Sequence, residues 1–205
     1  YRNASAGVST QALGTARTVA EPTAVGMRIR TGSATVYVHE LGRWYTAGQG
    51  GVHTCQLVRA SDRQLLAEVR TTGQSGATVK KFSNFRYGRI MAPGTNLPSP
   101  VALAPNTEYY IVSFEGPGGD SHRKEGTTVA PGSWFSVEGA VSATLNGAAT
   151  NPAAWTIAED AGANLCYGPV NVRCTTNGAL AYTRFPWPSF DDQAAFIISN
   201  GALST

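Results

Sequence analysis

The chain has 205 residues, 42% of them hydrophobic and only 14% charged, with a formal net charge of +3. A typical soluble domain is about 25% charged, and this one adds 23 glycines and 11 prolines. Such a composition excludes disorder, a coiled coil and a helical bundle, and it points to an all-β module. The 13 Arg and 3 Lys are scattered along the chain rather than gathered on one stripe, so nucleic acid is not an expected partner.

Residues 1–23 are small and polar, with weak alternation at Val8, Leu13 and Val19. They read as an extended N-terminal arm, suited either to adding a strand to the sheet edge of a neighbouring copy or to docking along its own sandwich. From Val25 the pattern sharpens. Val25–Arg30, Thr35–Leu41, Val52–Ala60 and Leu65–Thr71 are rich in β-branched residues and bounded by turn residues, so each is expected to be a strand. Thr78–Tyr87 alternates as one further strand. Met91–Pro100 reads as a loop, followed by a short strand, a turn at Pro105-Asn106 and a longer apolar strand through Tyr109–Ser113. Gly116–Gly126 is a polar loop containing Gly118-Gly119-Asp120. Ser133–Thr144, Ala154–Ala158 and Leu165–Cys174 complete the domain. About ten short strands at 8–12-residue spacing, with no 3.6-residue period, predict a two-sheet antiparallel sandwich over residues 24–176, jelly-roll-like in its strand spacing. Residues 177–205 form a C-terminal extension. Its Phe185-Pro186-Trp187-Pro188 run is no central strand, but Ala194–Ile198 has the pattern of a last one.

No apolar stretch approaches the ~18 residues of a membrane-spanning helix, so no membrane insertion is expected. The chain begins at Tyr1 with no signal peptide, as a processed product would. Cys166 and Cys174 enclose the Gly168-Pro169 turn signal. They are spaced to bridge the arms of a hairpin, the alternative being two buried thiols; Cys55 reads as a buried free thiol. There is no CxxC or HxxxH, so no metal site or cofactor is expected.

The stretch 25–175 resembles a bacterial and phage-associated family of uncharacterised β-sandwich modules found in secreted, adhesive and structural proteins. The matching pieces are Leu41-Gly42-Arg43-Trp44-Tyr45, Val52-His53-Thr54, the run Pro100–Tyr110 continuing into Ser113-Phe114-Glu115, then Gly118-Gly119-Asp120 and Tyr167-Gly168-Pro169-Val170-Asn171. The resemblance implies a jelly-roll-like fold and no catalytic residues.

Reactive constellations are sparse. Gly-x-Ser-x-Gly is absent, and the neighbours Asp120, Ser121 and His122 are adjacent in one loop, where side chains rarely aim at one another. The acids Glu125, Glu138, Glu159-Asp160 and Asp191-Asp192 show no partner that would make a glycosidase pair. Aromatic residues near predicted loops are more suggestive: Trp44, Tyr45, Tyr87 and Trp134, with Asp120, could form a ligand platform for a sugar ring. Two non-catalytic readings follow. One is a structural or adhesive subunit of an extracellular fibre or virion surface, joined to other copies through its arm. The alternative is a carbohydrate-binding module with glycan partners.

Overall fold

In the computed structural model, the described residues are 4–46, 48–72, 79–82, 84–145, 151–160, 162–168 and 170–176. Their strands in chain order are β1 (Ser5–Ala6), β2 (Val8–Ala12), β3 (Ala16–Arg17), β4 (Thr23–Thr31), β5 (Val36–Trp44), β6 (Val52–Arg59), β7 (Leu65–Thr72) and β8 (Val79–Phe82). They continue with β9 (Phe85–Arg89), β10 (Val101–Leu103), β11 (Glu108–Glu115), β12 (His122–Arg123), β13 (Thr128–Pro131), β14 (Phe135–Leu145), β15 (Trp155–Asp160) and β16 (Val170–Thr175).

Two antiparallel sheets form a sandwich. The larger runs β15-β14-β4-β11-β6-β7; the smaller runs β1-β16-β5-β9-β8, with β10 also pairing with β5. The period-two alternation of β4 shows why they stack. Val25, Met27 and Ile29 point inward and are buried, while Arg28 and Arg30 point outward. Met27, Ile29, Leu57 and Ile111 of the larger sheet then share one core with Val36, Val38, Leu41, Val170 and Val172 of the smaller. On the outer face, Arg28 and Arg30 both reach Glu108, at 3.1 and 2.6 Å.

A bulge shapes the smaller sheet. Arg173 pairs with Glu40 and Cys174 with Val38, so His39 is the extra residue on β5. The inward set of β5 therefore shifts from Val36 and Val38 to Leu41 and Arg43, which a strict alternation from Val36 would not give.

Two sequence expectations need correction. Thr78–Tyr87 is a hairpin rather than one strand, because Phe82 pairs with Phe85 and Val79 with Gly88. Leu165–Cys174 contains a strand only from Val170, and Cys166 and Cys174 form no disulfide: both are free and buried. The reason is that no hairpin joins them. The Cys166 N–H donates to the Thr127 carbonyl and that of Tyr167 to Gly26, while Cys174 lies opposite Val38 on β5. Cys55 is likewise buried and free.

The arm docks on its own chain, one of the two placements its sequence allows. β1 pairs with β16, β2 with β13 and β3 with β12. Asn171 supplies the clasp: its Oδ1 accepts from the Val8 N–H at 3.0 Å and its Nδ2 donates to the Val8 carbonyl at 2.8 Å. Val8 is buried in the main core, whereas Leu13 is exposed and Val19 half-buried. The C-terminal extension at 177–205, including the strand expected at Ala194–Ile198, lies outside the described residues.

Candidate functional site

At one end of the sandwich, the last residues of β5 and β11 meet the first residues of β6 and β9, and the 45–51 and 116–121 loops close over them. This mouth holds a buried chain of charges. Arg43 points inward and is 5% exposed; Glu115 is 1% exposed. The guanidinium grips the carboxylate side-on, Nε to Oε1 and Nη2 to Oε2, both at 2.9 Å. Two such parallel bonds fix orientation as well as charge. Arg43 also donates to the carbonyls of Trp44 and Ser121, and the Ser113 hydroxyl donates to Glu115.

His53 extends the chain. Its Nδ1 lies 3.2 Å from the Phe114 carbonyl and 3.3 Å from Glu115 Oε2; its Nε2 lies 3.1 Å from Asp120 Oδ2. The groups hydrogen-bonded to the ring are all acceptors, an arrangement that favours donation from both nitrogens and so the imidazolium. Burial pulls the His53 pKa down, but the hydrogen bonds to Glu115 and Asp120 outweigh it and the pKa rises. For Glu115, burial pushes the pKa up, and the bonds from His53 and Arg43 override that to hold it at about 2.

The loops are locked to this network. Asp120 Oδ2 also accepts from the Gly51 N–H at 2.9 Å. A Cβ at Gly51 would stand 2.9 Å from that same oxygen and 3.2 Å from His53 Nε2, so only glycine lets the two loops close. The Gln49 side-chain amide caps the 116–121 loop, accepting from the Ser121 N–H at 2.9 Å and donating to its carbonyl at 3.2 Å.

A small pocket of about 10 Å³ opens onto this assembly, room for one water-sized group. Trp44, Tyr45, Thr71 and Arg86 line it with Arg43, His53 and Asp120. Trp44 sits edge-on to Phe85 at 5.2 Å. The Arg86 guanidinium lies over the Tyr45 ring, 4.1 Å from its centroid.

The structure thus brings together three of the five residues expected to form a ligand platform: Trp44, Tyr45 and Asp120. Tyr87 is no platform. It is 1% exposed, stacked over Gly42 on the face of β9 that points away from the sandwich interior, and burial pushes its phenol pKa up. Trp134 is half-buried against the main core at the start of β14 and does not line this pocket.

Arg43, His53, Glu115 and Arg86 escaped the sequence reading for a physical reason. The His39 bulge hides the inward turn of Arg43. On β9 the aromatic face, Phe85 and Tyr87, looks like the core face, yet the register Arg86↔Arg43 places Arg86 inside. Of the other acids, Glu125 meets Arg17, Glu159 meets Arg28 and the Tyr110 hydroxyl, and Glu138 meets the Ser136 hydroxyl, while Asp191 and Asp192 lie outside the described residues. The adjacent Asp120, Ser121 and His122 form no relay, since Asp120 faces His53 and Ser121 faces Gln49. Among the described residues, no three His, Cys, Asp or Glu side chains are placed to hold a metal ion.

Comparison with known proteins returns no matching family model, no similar curated protein and no similar solved structure.

Proposed function

We propose that this chain is a non-catalytic carbohydrate-binding module that takes its ligand at the sandwich mouth. The observation that carries this reading is the convergence of Trp44, Tyr45 and Asp120, far apart in sequence, on one pocket floored by a rigid hydrogen-bonded network. Half-buried aromatic rings offer apolar faces to a pyranose, and fixed polar groups beside them orient its hydroxyls. The network itself is poorly suited to chemistry. Glu115 is held by Arg43, His53 and Ser113, and both nitrogens of the imidazole are engaged, which suits positioning better than proton transfer.

The other reading, a fibre or virion-surface subunit joined by arm exchange, gains no support from the arm, whose strands β1, β2 and β3 each pair within the chain. Display on an extracellular or virion surface remains compatible with a glycan-binding role.

The test is a glycan array probed with the purified chain and with Trp44→Ala and Tyr45→Ala. Binding that falls at least tenfold in both variants, with unchanged circular dichroism, supports the proposal. Absence of binding to every glycan, or binding indifferent to both substitutions, refutes it.

A further inference from the structure

Arg86 is the anomaly of the mouth. It is only 9% exposed, and its Nε and Nη1 are buried with no hydrogen-bond partner. Its cross-strand neighbour on β5 is another arginine, Arg43. Like charges directly opposite on a sheet repel, and a buried, unpaired guanidinium is costly. Arg43 is matched by Glu115 on β11, and His53 on β6 bridges Glu115 and Asp120. Glu115 is taken up by Arg43 and His53, and among the described residues no carboxylate forms an ion pair with Arg86. Thr71 of β7 is neutral. Tyr45 covers one face of the guanidinium, and Arg86 lines the pocket beside it.

We infer that the mouth recognises an acidic sugar, whose carboxylate enters the pocket to pair with Arg86 while the ring rests outside against Tyr45 and Trp44. This deepens the carbohydrate reading and rests on it. The pocket has room for one water-sized group, so a carboxylate oxygen enters and the sugar ring does not. A planar guanidinium with unused donors is the side chain best matched to a carboxylate. Asp120 lines the same pocket, with its Oδ2 held by Gly51 and His53.

The experiment is calorimetric titration of the whole chain with oligosaccharides ending in galacturonate, glucuronate or sialate, each beside its methyl ester. Esterification removes the charge and keeps the ring. The inference expects one acidic ligand to bind and its ester to bind at least tenfold more weakly. It expects Arg86→Gln to lose at least tenfold in affinity, and Arg86→Lys to lose less. It also expects Arg86→Gln to melt no lower than the native chain, since the substitution removes an unpaired buried cation. Equal binding of acid and ester, or undiminished binding by Arg86→Gln, overturns the carboxylate assignment and leaves the sugar reading standing. If neutral glycans bind and acidic ones do not, the assignment fails in the same way. If neither acidic nor neutral glycans bind, both fall together. Should Arg86→Gln not fold, the acid and ester comparison on the native chain still decides.

Discussion

Two charge clusters sit on this sandwich, and they behave differently. On the outer face of the larger sheet, Arg28 and Arg30 flank Glu108, with Glu159 beside them, all at least partly in water. At the mouth, Arg43, His53, Glu115 and Asp120 are linked in the same alternating fashion but are almost wholly buried. The outer cluster is an ordinary set of cross-strand pairs whose attraction is diluted by solvent. The mouth cluster has surrendered its hydration, so each member depends on the others. The lesson is that buried charge here specifies an arrangement: it pins two loops and one end of both sheets, and it leaves Arg86 wanting a partner.

Removing one member of each cluster should separate them most sharply. Glu115→Gln leaves Arg43 and His53 buried without their carboxylate and is expected to cost about 3–5 kcal/mol, read from urea denaturation. A loss below about 1 kcal/mol would mean that water already reaches the mouth.

pH should give the next largest effect. The His53 pKa is raised on folding, so its contribution is fully present below the unfolded value of about 6.5 and is lost as pH rises through the folded value. Glu115 works in the opposite sense. Its folded pKa of about 2 gives stability that is present above the unfolded range and lost as pH falls toward about 2. Mild acid should therefore favour the mouth. His53→Gln should flatten the alkaline decline in melting temperature, and an unchanged slope in that variant would break the assignment of the imidazolium.

Glu108→Gln on the outer face is expected to change stability by less than about 1 kcal/mol, and added salt should erase most of that difference. A penalty equal to that of Glu115→Gln would dissolve the contrast between the clusters.

The smallest signal is kinetic. Cys55 lies near the mouth network, and burial pushes its thiol pKa up to about 12. Alkylation of Cys55 at neutral pH should be very slow in the native chain and faster in Glu115→Gln, measured by mass spectrometry of its peptide. Because no disulfide joins Cys166 and Cys174, a reductant should leave the melting temperature unchanged.

Much of the fold was legible in local pattern. The alternation Val25, Met27, Ile29 against Arg28 and Arg30 marks β4 and its inner face directly, and Leu65–Thr71 was placed to within a residue. The hairpin of β8 and β9 was missed because its turn carries no glycine, and the strands within the arm were missed because their partners lie far along the chain. At the mouth, Trp44, Tyr45 and Asp120 could be nominated from aromatic and loop chemistry. Their four charged companions could not, because a bulge and an inverted aromatic face conceal which way Arg43 and Arg86 point.

Residue order alone was enough to set the fold class, the in-and-out pattern of the central strands and the absence of long apolar helices, since each follows from side-chain period over a few neighbours. The pairing of Arg43 with Glu115, the seating of His53 between two acids, the isolation of Arg86 and the separation of Cys166 from Cys174 were settled only when the sheets stacked. Those contacts join residues that no local period relates; they depend on register and on a single extra residue in β5, which turn side chains inward or outward only once the strands have paired.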